Sequence, residues 1–160
     1  LCGKSNRPTR VIEGSNAMNQ SQRPDRIIVN DISVTTSTGP NPLCHVTIEV
    51  DIGGVAQSLT FESKASDVGP VSGICGAFRK IVPDFNWADF RVRALGPGEG
   101  ADAFATVYIK NNGDTFAGEG THNNTLHASA AAVADGLNKL RWHEFNKAAQ
   151  HSRLVAAGGR

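Results

Sequence analysis

The 160-residue chain is notable first for what it lacks. No apolar run approaches the roughly 18 residues that a membrane-crossing helix needs. No charged segment followed by an apolar stretch marks a secretory leader. Neither observation gives a membrane partner anything to hold. Cysteine is scarce: Cys2, Cys44 and Cys75 are odd in number, widely spaced and without a CxxC pair. That excludes a disulfide framework and a cysteine-based zinc site, and it fits reduced thiols in the cytoplasm. A charge excess is also missing, with 16 basic against 15 acidic side chains. A nucleic-acid binder ordinarily carries a clear basic surplus, so no nucleic-acid partner is expected. The basic residues that do gather, Lys4, Arg7 and Arg10 at one end and Arg141, Lys147, Arg153 and Arg160 at the other, read as solvated tails. Asn123-Asn124-Thr125 matches a glycosylation sequon, which is accidental in a chain without a secretion signal.

What is present is a pattern stated twice. Ile27 to Val34 is β-branched and reads as a strand. Gly39-Pro40-Asn41-Pro42 marks a loop. Val46, Ile48, Val50 and Ile52 then alternate with polar residues, Gly53-Gly54 supplies a tight turn, and Val55 to Ser63 returns with Leu59 and Phe61 on one face. From Pro70 to Val82 the period changes: Val71, Ile74, Cys75, Phe78 and Val82 form one helical stripe, opened by Pro70 and closed by Pro83. The second half repeats the order. Phe90, Val92 and Ala94 alternate; so do Ala103, Ala105, Val107 and Ile109; Asn112-Gly113 is a hairpin turn; Thr115 to Gly118 begins a third strand. Leu126, Ala130, Val133, Leu137 and Leu140 step as an amphipathic helix with Asn124 as its N-cap.

The expected fold is therefore α+β: two β-β-β-α units, residues 27–82 and 86–141, packed as a pseudo-duplicated domain over 26–145 with mainly antiparallel strands. Residues 1–25 read as a polar arm or linker and 146–160 as a flexible tail. At this length the chain forms one core without staples. A surplus apolar face would favour a homodimer.

Motifs that carry chemistry are few. Gly96-Pro97-Gly98-Glu99-Gly100-Ala101 mimics a dinucleotide fingerprint, but a strand follows where a helix should, and there is no Gly-Lys-Ser/Thr phosphate loop. No cofactor is expected. His122, His127 and His143 lack the spacing of a helical metal pair, so no metal is expected and capping or solvent exposure explains them. Cys75 sits on an apolar stripe, where an inert buried thiol is the plain reading; a nucleophile would need His122 or His127 brought to it by the fold. Asp67, Asp102 and Asp114 sit at turns. Each helix start follows a glycine-containing segment, 68–71 and 118–124, and free amides at a helix N-terminus attract carboxylates.

Five tags then occur in order: Asp67-Val68-Gly69-Pro70-Val71-Ser72, Gly100-Ala101-Asp102-Ala103, Gly118-Glu119-Gly120-Thr121, Ala128-Ser129-Ala130 and Leu137-Asn138-Lys139-Leu140. Over residues 27–141 the chain resembles the C-terminal regulatory domain of α-isopropylmalate synthase and its citramalate synthase relatives. The resemblance implies a dimerising pair of β-β-β-α units with a feedback site for leucine or isoleucine between them. Carried over by motif, Gly69, Pro70, Val71, Ile74 and Cys75 belong to one wall, and Gly118, Gly120, Asn124 and Ala128 to the other. The family commonly has an acidic residue where Asn124 stands. Its Claisen condensation belongs to a separate metal-dependent barrel, for which this chain has neither room nor a His-x-His tag. No condensing activity is expected from this chain alone, and a catalytic barrel domain or subunit is an expected partner.

Two functions are thus set against each other. The first is a regulatory module that binds a small amino acid or carboxylate metabolite. The alternative is an enzyme that has repurposed the scaffold, with Cys75, His122, His127 and Asp67 as candidate catalytic residues. Leu1 in place of an initiating Met leaves a fragment, a processed product or an incompletely specified sequence open. The regulatory expectation requires both helix starts to face one shared cleft.

Overall fold

The computed structural model describes residues 23–158. Its order is β1 (Ile27–Ser37), β2 (Leu43–Ile52), β3 (Val55–Ser63), α1 (Pro70–Phe78), β4 (Asn86–Ala94), β5 (Ala103–Asn111), β6 (Asp114–His122) and α2 (Thr125–Gly158). The strands form two antiparallel three-stranded sheets, β1-β2-β3 and β4-β5-β6. The doubled α+β plan is the observed fold.

Both hairpins turn where the residues allow it. Gly53 and Gly54 have φ of 64° and 84°, and Asn112 and Gly113 have 48° and 87°. Positive φ at both central positions matches the right-handed twist of the flanking strands and sets their register. Ile48 therefore faces Ile32 on one side and Leu59 on the other, and Val107 faces Phe90 and Gly118.

Each sheet buries one face. Val46, Ile48 and Val50 of β2 and Val107 and Ile109 of β5 are fully buried, as are Ile74 and Phe78 of α1 and Val133 and Leu137 of α2. Each such side chain contributes about 1.5–3 kcal/mol relative to exposure. Helix α1 lies on β2 and β3; α2 lies on β5 and β6 and also touches β1 and α1, so the two units share one core.

Three boundaries differ from the periodic reading. Helix α1 stops at Phe78, and the chain leaves it through short turns in which Lys80 and Ile81 donate to the carbonyls of Ala77 and Phe78. Val82 belonged to the apolar stripe but packs from the turn rather than from the helix. The third strand of the second unit runs to His122, so Gly118-Glu119-Gly120-Thr121 is strand, not an irregular approach to a helix. Helix α2 does not end with its apolar stripe at Leu140 but continues to Gly158. Beyond residue 146 the residues are mostly exposed, and alanine, lysine, glutamine and arginine sustain the helix by propensity without a core to pack on. Residues 1–22 of the expected polar arm lie outside the described residues. No helix among the described residues is long and apolar enough to cross a membrane.

Candidate functional site

The start of α1 is bare. Gly69 occupies the N-cap in extended conformation without a side-chain cap, and Pro70 opens the helix. The first-turn amides of Val71 and Ser72 thus lack an intrahelical acceptor. Gly73 N–H donates to Gly69 C=O at 3.0 Å, and the Cys44 thiol approaches the same carbonyl at 3.7 Å. Beside this end lies a hollow of about 340 Å³. Thr36, Ser37 and Thr38 at the end of β1 furnish hydroxyls on one side; Ser66, Asp67 and Gly69 form the other. Free helix-end amides favour a carboxylate, hydroxyls adapt to either sign, and Asp67 offers a counter-charge for an ammonium group.

The start of α2 is closed. Asn124 Oδ1 accepts from the amides of Leu126 at 2.9 Å and His127 at 3.2 Å, an N-cap as expected. The Asn124 amide in turn donates to His122 Nδ1 at 2.9 Å. The rings of His122 and His127 stack at 3.9 Å, and His127 Nε2 lies 3.5 Å from Asn30 C=O. The uncharged Asn124 is thus a capping residue, which accounts for an amide at that position without any ligand.

Gly118 and Gly120 serve contact between backbones. A Cβ on Gly118 would stand 2.0 Å from the Ala132 carbonyl oxygen, and one on Gly120 2.3 Å from that of Ala128. A glycine inside a strand commonly marks such a close approach, and here the approaching backbone is α2 itself. Ala128, Ile74 and Cys75 are fully buried. Burial pushes the Cys75 thiol up to about 11, with Arg79 pulling slightly the other way. At neutral pH it is a thiol, not a thiolate nucleophile.

A second hollow, about 400 Å³, separates the units where the outer edges of β1 and β6 approach α2. Gly120 reaches it; Arg26, Glu119, Asp135 and Asn138 complete its polar lining. Asp135 Oδ2 accepts from the Glu119 amide at 3.0 Å and pairs with Lys139 at 2.8 Å. Glu119 and Asn138 fall within the quoted tags, but nothing in the sequence brings them to Arg26 and Asp135, since that meeting depends on how the two units dock. A third hollow of about 540 Å³ lies between the exit from α1 and the β5–β6 turn, beside Arg79 and Asn111. None of the three hollows is lined by both helix starts, so the single shared cleft on which the regulatory expectation leaned is not among them, and each helix start has its own surroundings. The structure therefore gathers Asp67, Gly69 and Pro70 at one hollow, sets Gly120 at another, and places Ile74, Cys75, Gly118 and Ala128 in the packed interior. Among the described residues no group of three or more His, Cys, Asp or Glu side chains could hold a metal ion.

A pair of β-β-β-α units with hollows of small-molecule size at a helix start and at the unit junction defines a duplicated α+β domain. Residues 14–141 match the model of the LeuA allosteric (dimerisation) domain, and the chain belongs to that family. Curated relatives agree. A 2-isopropylmalate synthase of Methylorubrum populi is 32% identical over 133 residues, which cover 82% of this chain and 24% of the relative. One from Caulobacter sp. (strain K31) is 34% identical over 117 residues, 72% of this chain and 21% of the relative. One from Clostridium kluyveri is 29% identical over 111 residues, 69% and 21% respectively. The chain thus matches at most about a quarter of the length of these relatives.

Proposed function

We propose that this chain is a regulatory module that binds a small amino acid, leucine or isoleucine in the first instance, and acts on a catalytic unit of the synthase type as a cytoplasmic homodimer. The observation that carries the reading is the family match across residues 14–141. The uncapped start of α1 supports it chemically. An α-carboxylate suits the amides of Val71 and Ser72, an α-ammonium suits Asp67, and the hollow of about 340 Å³ lies within the range of small-ligand sites. Of the predicted wall, Gly69 and Pro70 line this hollow, Val71 is half-buried and next in the chain, and Ile74 and Cys75 are fully buried.

Dimerisation is supported by an apolar strip that α2 leaves uncovered. Val92 and Trp87 share the helix-bearing face of their sheet with Ala105 and Ile109, yet each is 38% exposed. A second copy would cover them. As a regulator, the ligand must favour one arrangement of the larger assembly over another, and its effect is limited by that difference in affinity.

Titration calorimetry and thermal unfolding with L-leucine and L-isoleucine test the reading. Saturation at a hundredfold excess over Kd should add about 2.7 kcal/mol of stability. Asp67→Asn should weaken binding about tenfold, the scale of one charge-assisted hydrogen bond. Absence of heat and of any thermal shift at millimolar ligand would remove the proposal. The repurposed-enzyme reading draws no support from the site: Cys75 is sealed and protonated, and His122 and His127 are engaged with one another at the opposite helix start.

A further inference from the structure

We infer that the hollow of about 540 Å³ between the exit from α1 and the β5–β6 turn is an anion site, separate from the start of α1, that takes a doubly charged phosphate group.

Three observations converge on it. The first is an arginine held in place with its charge unmet. Arg79 is the C-cap of α1 and is half-buried. Its Nε–H donates to the Phe85 C=O at 3.4 Å, and its guanidinium carbon lies 5.1 Å from the centre of the Phe85 ring. These contacts fix the guanidinium, yet its two terminal amino groups have no acceptor and no carboxylate in ion-pair range among the described residues. A partly buried cation ordinarily has a partner. The C-terminal dipole of α1 accounts for one cation at this place. It does not account for a second, Lys110, which lines the same hollow and whose ammonium group is likewise without a partner among the described residues. Two like charges thus share one hollow with nothing between them.

The second is the surplus of donors. Asn112 and Gly113, at the positive-φ turn, line the hollow, and neither backbone amide has a backbone acceptor among the described residues. The β4–β5 register sets Asn86 beside Lys110, and the side-chain amides of Asn86 and Asn112 are unengaged as well. The Asn111 side-chain amide donates to the Asp84 C=O, which draws the link between the two units up to the hairpin and closes one end of the hollow. Of the lining residues only Asp84 is acidic, and it is exposed. Asp114, the next acid along the hairpin, is engaged by His143 at 3.3 Å and Lys147 at 3.4 Å. The set is therefore positive and rich in N–H groups, which suits an anion and no cation.

The third is the lack of an apolar wall. Phe85 is 3% exposed, and Pro83 is the other apolar side chain of the lining. An aliphatic ligand would find nothing to pack on. A carboxylate, with two oxygens and one charge, would satisfy the Arg79 fork and leave Lys110 and the turn amides unmet. A phosphate group brings three or more oxygens and close to two charges, enough for the fork, the ammonium point charge and the amides together. Because Arg79 and Asp84 belong to the link between the units and Lys110 to Gly113 to the second hairpin, an occupant would hold link and hairpin together.

The test uses the whole chain and inorganic phosphate as the probe, followed by backbone amide NMR at an ionic strength held constant with sodium chloride. Millimolar phosphate should shift the amides of Phe85, Asn86, Asn112 and Gly113. Lys110→Gln should weaken the effect about tenfold while leaving the unfolding temperature unchanged, because that side chain has no structural partner. Arg79→Lys keeps the charge but loses the fork, and should weaken it about tenfold as well. Acetate at the same ionic strength should bind about tenfold more weakly than phosphate. Glycerol 3-phosphate separates the two sources of the group: tighter binding than inorganic phosphate assigns the site to a phosphorylated metabolite, and equal binding assigns it to the free ion. Unmoved amides with both phosphate probes overturn the inference. So do shifts that acetate reproduces in full, or shifts that are the same in wild type and in Lys110→Gln.

Discussion

The side-chain amide of Asn138 pairs with the backbone of Ile27 as a neighbouring strand would: Oδ1 accepts from the Ile27 N–H at 2.8 Å and Nδ2 donates to its C=O at 2.9 Å, across 111 residues of sequence. The bond pair ties the helix of the second unit to the first strand of the first. It also caps the exposed edge of β1 at its buried end, where Ile27 is 2% exposed. Asn138→Ala should strand both backbone groups and cost about 1–3 kcal/mol, read from urea unfolding. Asn138→Asp keeps the acceptor, loses the donor, and should be destabilising as well.

The contact between β6 and α2 makes a sharper prediction. Gly118→Ala and Gly120→Ala place a methyl group against helix backbone, which has no rotamer to yield, so α2 must lift from the sheet. Each should destabilise by about 3 kcal/mol or more, at the upper end of ordinary single substitutions. Gly136→Ala meets the Ile109 side chain, with Cδ1 at 2.7 Å, and a flexible end can move, so its cost should be smaller. Gly39→Ala, with nothing near its Cβ, should be within about 0.5 kcal/mol of wild type. Equal losses at Gly118 and Gly39 would contradict the seam.

At the start of α2, Asn124→Ala removes the acceptor for the Leu126 and His127 amides and should cost about 1 kcal/mol. Asn124→Asp retains the acceptor and adds a negative charge at the positive end of the helix, so it should be neutral or stabilising by about 0.3–1 kcal/mol at low salt, fading as salt rises. Thermal unfolding at two ionic strengths separates these outcomes.

Cys75 predicts an alkaline limit. Its thiol, held at about 11 in the fold against an ordinary 9.0, keeps its proton in the native state after the unfolded chain has lost it. The native state then binds more protons than the unfolded one, so its contribution is whole below pH 9 and drains away between pH 9 and 11, by about 2–3 kcal/mol in all. Cys75→Val, which has nothing to titrate, should show a shallower fall in urea midpoint over that range. Ellman's reagent should reach Cys44 and Cys75 only on unfolding, since both are buried.

Much of this architecture was legible before any coordinates. Alternation in 46–52 and 103–109, glycine-bearing turns at 53–54 and 112–113, and the stripe from Leu126 to Leu140 are local signals, each written within a dozen or so residues. So are Pro70 at a helix start and Asn124 as a cap. Local signals misjudged the ends of elements. Val82 kept the period of α1 although the helix had closed at Phe78, and α2 outran its own stripe because nothing in the sequence after Leu140 breaks a helix.

The candidate site was legible only by half. Asp67, Gly69 and Pro70 stand together because they are neighbours in the chain, and the structure adds the hydroxyls of Thr36 to Thr38 that face them. Gly118 and Gly120 were singled out as one wall of a ligand site, whereas what lies against them in the structure is the backbone of α2. Residues alone dictated the doubled plan, the buried stripes and the family, since periodicity and turn chemistry act between near neighbours. Tertiary structure alone decided that α2 fills the groove of β6, that Asn138 joins Ile27, and that Arg26 meets Glu119 across a hollow, because each of those depends on the docking of two units whose partners lie scores of residues apart.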